Sequence, residues 1–437
     1  DKVADGGGAL EFEFDGSWSA TNVKLTDAGA PYVSAPLAAG NYSISEVNLP
    51  SPWVQLSATC DNASTPATET VNPSSITLAD GDEWQCTFTN KNRPLCTTVC
   101  YADIVNGSDT ANGGTGPTDA FKTIQMAIDT VTPSGEVRVL PGTYPESPTV
   151  HKSVTMVGVD GRDVTFIALQ AGTNYTHSLL ISGADVTMDG FTVIGIDAAC
   201  PALAATNIYV SHTADNVLLK NNRLQVGAIG GCSTGDDGFG LITEYTAQPD
   251  VATLTVENTI FEPLTATGGQ RAFYINPSVV SFVLRDSEIT GKFNGTAITQ
   301  AQDSLIEDNT ITGDGSSAGI GVWGEPDPTV WGHATIQRNT ITGTVNAITI
   351  YEAQNVTVTK NILNANSRGV RVTTVTPLVF DKTTIHINRN AITNNTTEGI
   401  TNLLSETGDI DGTCNWWNSA SGPGAVASGS GDKVSAK

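Results

Sequence analysis

Leu305-Ile306-Glu307-Asp308-Asn309-Thr310-Ile311-Thr312-Gly313 returns almost unchanged as Ile336-Gln337-Arg338-Asn339-Thr340-Ile341-Thr342-Gly343. Both follow a unit that reads roughly apolar-x-apolar-x-x-Asn-x-apolar-x-Gly. Looser copies occupy residues 186–193, 217–224, 254–260, 283–289, 356–363 and 385–392. Taking 191, 222, 258, 287, 309, 339, 361 and 390 as equivalent, the steps are 31, 36, 29, 22, 30, 22 and 29 residues. The shortest step recurs, so 22 residues reads as one bare coil and the excess as loops on one side. Internal repetition at this period is the mark of a solenoid.

A single unit of this kind has too little apolar surface to fold alone, and stacking coil on coil builds a continuous core. The short alternating runs predict strands that pair in parallel with the coils above and below, about 4.8 Å apart. The recurring Asn is expected at a bend, where Asn tolerates left-handed backbone geometry. Stacked Asn side chains are also expected to hydrogen-bond along the axis, as amide ladders do. Leucine-rich repeats lack their L-x-x-L-x-L signature here. The fold class is therefore all-β: a right-handed parallel β-helix over residues 94–437, preceded by a small β-sandwich over residues 1–93.

Outward from the repeats, Phe121, Ile124, Ala127, Ile128 and Val131 share one helical face, which predicts a capping helix near 120–131 begun at Thr118 or Asp119. Residues 9–14, 42–47 and 84–90 alternate with period two between Gly, Pro and Asn, the pattern of half-buried antiparallel strands.

Two resemblances accompany these patterns. Leu37-Ala38-Ala39-Gly40-Asn41-Tyr42-Ser43-Ile44-Ser45-Glu46 with Pro50 and Trp53, and Cys86-Thr87-Phe88-Thr89-Asn90, resemble the core and last strand of pilin- and collagen-adhesin-type immunoglobulin-like domains. That resemblance implies an isopeptide between a first-strand Lys and a last-strand Asn, assisted by a central acid. Lys2, Glu46 and Asn90 match those positions. Phe121 to Ile128 with Pro141-Gly142-Thr143-Tyr144, and Cys414-Asn415-Trp416-Trp417 with Ser421-Gly422-Pro423, resemble the opening and closing motifs of secreted β-helix proteins of the pectate-lyase-like superfamily. That group includes polysaccharide lyases and hydrolases.

Lys and Arg number 21 against 45 Asp and Glu, a net charge of −24. Nucleic-acid binding needs a basic footprint, so that partner is excluded. No run of about 18 apolar residues is present to span a bilayer. None of the seven cysteines forms a CxxC pair. Local pairing gives candidate disulfides Cys60–Cys86, Cys96–Cys100 and Cys200–Cys232 and leaves Cys414 over, its partner expected outside this chain. Disulfides together with the acidic, Ser/Thr/Asn-rich composition place the protein in an oxidising, extracellular or cell-surface setting.

The candidates for chemistry are sparse. Residues 321–331 put Trp323 and Trp331 around Glu325 and Asp327, a candidate glycan-binding loop, since rings stack on saccharides and acids take hydroxyls or calcium. A lyase would use a base such as Arg271 or Lys292, with Asp236 and Asp237 as candidate calcium ligands. Asp236-Asp237 and Gly332-His333 resemble fragments of the polygalacturonase motifs, which use paired carboxylates, but lie far apart in the chain. Calcium is the one cofactor considered. The favoured function is a non-catalytic adhesin or fibre subunit whose partners are further copies of itself or surface glycans and proteins. Polysaccharide lyase or hydrolase and carbohydrate-binding protein are the alternatives. The chain opens at Asp1 with most of the first sandwich strand expected to be missing. Its Gly/Ser/Ala-rich tail from Gly424 to Lys437 is expected to be flexible and to complete a neighbour head-to-tail by strand addition.

Overall fold

The structure is a computed structural model. It describes every residue except 1, 5–6, 65–68, 169–176, 200–205, 231–237, 247–249, 266–269, 318, 325–329, 375–380, 405–408, 426–427 and 436–437.

From Val99 onward the chain winds into three long sheets of eleven, ten and twelve strands. Their pairings are parallel and join each coil to the next. The inward side of the first sheet stacks like residue types in one column: Met156, Met188, Leu219, Val256, Leu284, Ile306, Ile336, Val358 and Ile387. The second sheet stacks Ile167, Val193, Leu224, Phe261, Ile289, Ile311, Ile341, Leu363 and Ile392. All are buried. At about 1.5–3 kcal/mol for each fully buried apolar side chain, these columns supply the main driving force for winding.

The corner between the first and second sheets keeps the sequence phase except at one coil, where it shifts by one residue. The left-handed position holds Asn221, Asn258, Asp286, Asp308, Arg338, Lys360, Arg389 and Cys414, with φ between 44° and 61°. The residue after it faces inward and carries the ladder, so the equivalent of Asn222 in the next coil is Thr259 rather than Asn258. The amide oxygen of each ladder Asn accepts the backbone N–H of the preceding coil: Ser287 N to Asn309, Asn309 N to Asn339, Asn339 N to Asn361, Asn361 N to Asn390 and Asn390 N to Asn415, at 2.9–3.0 Å. Burial and ladder bonding, not a left-handed backbone, explain the recurring Asn. A second, shorter ladder occupies the corner after the second sheet, where Thr344 N bonds to Asn366, Asn366 N to Asn395, and Asn395 N to Asp432.

Helix α1 (Ile124–Thr130) covers the first coil and is shorter than the sequence indicates. Its N-cap is Thr123, while Pro117–Asp119 form a single 3₁₀ turn. The sequence reading missed Glu146, whose carboxylate oxygens accept the Ile124 and Gln125 backbone N–H groups at 2.8 and 3.1 Å. The tail also departs from expectation. Strand Gly431–Val434 pairs with Glu398–Asn402, and the Asp432 carboxylate ends the second ladder, so the tail closes the last coil rather than hanging free.

The N-terminal unit packs Phe12, Phe14, Trp53, Phe88 and Ala4 between small sheets. Lys2–Ala4 forms a three-residue strand that pairs in parallel with Trp84–Asn92. Cys60 and Cys86 lie opposite one another on antiparallel strands and are bonded, as are Cys96 and Cys100; Cys414 is free and exposed. The Cys200–Cys232 pairing lies outside the described residues. The strand ending at Asn92 runs directly into a clamp on the solenoid. Arg93 donates to the Asn112 and Asp109 carbonyls at 2.6 and 2.9 Å and sits over the Phe121 ring, and Lys91 bonds Asp119 at 3.0 Å.

Candidate functional site

Lys2, Glu46 and Asn90 converge in the N-terminal core. Lys2 and Ala4 pair with Phe88 and Asn90 on the neighbouring parallel strand, which aims the Lys and Asn side chains inward. Lys2 is 3% exposed and Asn90 2%. Lys2 Nζ lies 3.9 Å from Glu46 Oε1 and 4.4 Å from the Phe12 ring centre, and donates to the Val3 and Phe88 carbonyls. Asn90 Nδ2 donates to the same Glu46 oxygen at 2.7 Å. Among the described residues, Glu46 Oε2 and Asn90 Oδ1 have no hydrogen-bond partner.

Burial pushes the Lys2 amine below its ordinary pKa against the opposing pull of Glu46, and pushes the Glu46 carboxyl up. Both shifts favour the neutral forms. A neutral amine, an amide and a protonated carboxyl are the reactants and acid–base group that amide exchange requires. Such an exchange joins an amine nitrogen to the amide carbon, breaks that carbon's bond to its own nitrogen and releases ammonia, with an acid relaying a proton to the leaving nitrogen.

A second concentration of functional groups lies on the outer face of the third sheet. Phe239 and Tyr274 have ring centres 6.1 Å apart, Tyr274 and Trp323 6.4 Å, and Trp323 and Tyr351 5.0 Å. His177 and Tyr209 form a further pair at 5.8 Å toward the N-terminal end. Arg271 sits 5.9 Å from the Tyr274 ring, and Arg371 occupies an outward position two coils beyond Gly321. Gly321 matters here: a Cβ at that position would lie 3.1 Å from Trp323 Nε1, so the missing side chain lets the indole lie down on the sheet. Of this strip, sequence reading found only Trp323 and Arg271. The missed signal was the third strand of five coils, which carries an outward aromatic at Tyr209, Phe239, Tyr274, Trp323 and Tyr351.

The other sequence candidates scatter. Trp331 is 5% exposed and buried beside the coil, so it offers no stacking face and does not pair with Trp323 as a clamp. Glu325, Asp327, Asp236 and Asp237 lie outside the described residues. Lys292 is half-buried in the connection that follows the second sheet. His333 stands on the first sheet beside Asp303 at 3.7 Å, on a different face from Arg271. Among the described residues no three His, Cys, Asp or Glu side chains are grouped to hold a metal ion, and no helix is long and apolar enough to cross a membrane.

Comparison with known proteins agrees with this architecture. Residues 240–416 match the family model of the right handed beta helix region. The solenoid is a right-handed parallel β-helix. Residues 1–92 match the model of a prealbumin-like fold domain, so the β-helix follows a prealbumin-like unit. Among solved structures, the β-helix is similar to rice weevil pectin methyl esterase at 14% identity, over 52% of this chain and 75% of that one, with a TM-score of 0.37. A pectin methylesterase mutant in complex with a hexasaccharide matches at 12% identity, over 67% and 92% of the two chains, with a TM-score of 0.37. A rhamnogalacturonan lyase matches at 12% identity, over 73% and 86%, with a TM-score of 0.33. These likenesses say nothing of this chain's activity. No curated protein matches the chain.

Proposed function

We propose that the protein is a non-catalytic extracellular surface protein, an adhesin or fibre subunit. In this reading a prealbumin-like domain of residues 1–93 is locked by a Lys2–Asn90 isopeptide and carries a β-helix of residues 94–437. The observation that carries this reading is the buried Lys2–Glu46–Asn90 arrangement, in which burial favours both the neutral amine and the protonated acid. A covalent tie between first and last strands suits a small domain held outside the cell, and the disulfides Cys60–Cys86 and Cys96–Cys100 fit the same compartment. Intact mass is the test. The wild-type chain is expected to weigh one ammonia less than its disulfide-bonded sequence, and Glu46→Ala and Lys2→Ala to show no such loss. A wild-type chain with the full mass rejects the crosslink.

The aromatic strip favours a second reading as a carbohydrate-binding protein. Tyr274, Trp323 and Tyr351, with Arg271 and Arg371 beside them, suit an anionic glycan lying along the axis. Retention on polygalacturonate that falls on Trp323→Ala supports it. Release of unsaturated products or reducing ends would instead place the protein among the lyases or hydrolases.

A further inference from the structure

A groove of about 470 Å³ runs along the outer face of the first sheet, the face that carries neither the aromatic strip nor the crosslink. Its floor is a straight outward column of Thr155, Thr187, Leu218 and Thr255, one residue per coil. One wall is a chain of side-chain hydrogen bonds parallel to the axis. Thr253 donates to Asn216 at 2.9 Å, and Asn216 donates to Asp185 at 2.8 Å. The other wall carries Glu257 and Arg285, paired at 2.6 Å.

Three properties select a ligand class. The volume falls within the range of about 300–1,000 Å³ usual for small-molecule sites. The charged lining groups are Asp185, Glu257 and Arg285, an excess of one negative charge that disfavours an anionic polymer. A sheet face also exposes no free backbone N–H or C=O row, which removes the main bonding mode for an extended peptide. What the groove does offer is threonine hydroxyls and methyls, the Leu218 side chain, and amide and carboxylate acceptors repeating at each coil. We propose that this groove binds a neutral oligosaccharide lying along the β-helix axis, its hydroxyls meeting the Asn216 and Thr253 wall and its C–H faces meeting Leu218 and the threonine methyls. This site is independent of the third-sheet strip and of the isopeptide.

The experiment uses the full chain with cello-, manno- and xylo-oligosaccharides, and with oligogalacturonate as the charged comparison, followed by NMR or calorimetry. At least one neutral series is expected to bind. Leu218→Glu, at a partly exposed outward position, is expected to weaken that binding at least about tenfold by burying a carboxylate under the ligand. Trp323→Ala, on the other sheet, is expected to leave it unchanged. An unaltered circular dichroism spectrum for Leu218→Glu keeps the comparison valid, and Thr187→Lys serves as the second variant. Failure of every neutral series to bind, binding of oligogalacturonate alone, or neutral binding that survives both groove variants or disappears with Trp323→Ala overturns the proposal. None of these outcomes bears on the isopeptide mass.

Discussion

Replacing Asn361 by Ala tests the ladder directly. Its side-chain oxygen accepts both the backbone N–H and the Nδ2 of Asn339, at 2.9 and 3.0 Å. Its Nδ2 donates to the carbonyls of Ile336 and Thr359 and to Asn390 Oδ1. Asn361 is 1% exposed, so water cannot substitute for the lost partners. Alanine leaves the Asn339 N–H without its acceptor and removes a donor from Ile336 O and Asn390 Oδ1. Asn390 Oδ1 still accepts the Asn361 backbone N–H, so at about 1–3 kcal/mol for each of the other two groups the expected loss is about 2–6 kcal/mol. Because contacts in a solenoid are between neighbours, hydrogen exchange should quicken most in the coils around 336–341 and 358–363 and little near 186–193. Asn361→Asp should be worse at neutral pH, since a carboxylate would face three acceptors. Its folded-state pKa would exceed the unfolded value, so that variant should lose stability as pH rises through it. Lys360→Gly supplies the contrast. Lys360 has φ 58°, a conformation that strains a side chain, so glycine should be neutral or stabilising by about 1 kcal/mol. Denaturant midpoints with the change for Asn361→Ala below about 1 kcal/mol, less than one orphaned group is worth, would refute the reasoning.

Arg93→Ala removes two charge-assisted bonds to the Asn112 and Asp109 carbonyls. Exchange over 109–121 should rise at least about tenfold, equivalent to a local loss of about 1.4 kcal/mol or more; unchanged protection there would show that the clamp is idle. Glu146→Ala uncaps helix α1 and should cost about 1 kcal/mol, read as lower protection at Ile124 and Gln125. The hydrogen bond that the His212 ring donates to Glu244 Oε2, at 2.7 Å, raises the His212 pKa. The pair is therefore in place below the unfolded His value and is lost as pH rises through the folded one. An NMR titration should find His212 titrating above His177, whose pKa burial lowers, and Glu244→Gln should bring His212 down.

The winding was legible because the ladder corner repeats in type and spacing, and the inward columns repeat the same apolar side chains. The phase at one coil was not. Asn258 and Thr259 exchange the usual polar pair at that corner, and a sequence reading that follows Asn alone selects the left-handed residue instead of the buried one. The α1 start was misplaced because its cap comes from Thr123 and from Glu146, the latter 22 residues downstream, which no local pattern signals. The Lys2, Glu46 and Asn90 positions were found by resemblance, and their convergence rests on parallel pairing between the two ends of a domain. The aromatic strip escaped notice because its members are separated by 28 to 49 residues and meet only when coils stack. The tail was misread since Gly, Ser and Ala look pliant; Asp432 was the informative residue, occupying the rung that Asn395 leaves open.

The main ladder runs one way only: every backbone N–H points toward the next coil and every amide oxygen points back. Such an array has no intrinsic length. Copying a segment of 22 residues between matching rungs, as from Asn339 to Asn361, would add about 4.8 Å of height and leave both end fittings as they were. Reach is thus a trait that descendants of this chain can adjust in whole steps by duplication and deletion, without redesigning any interior contact.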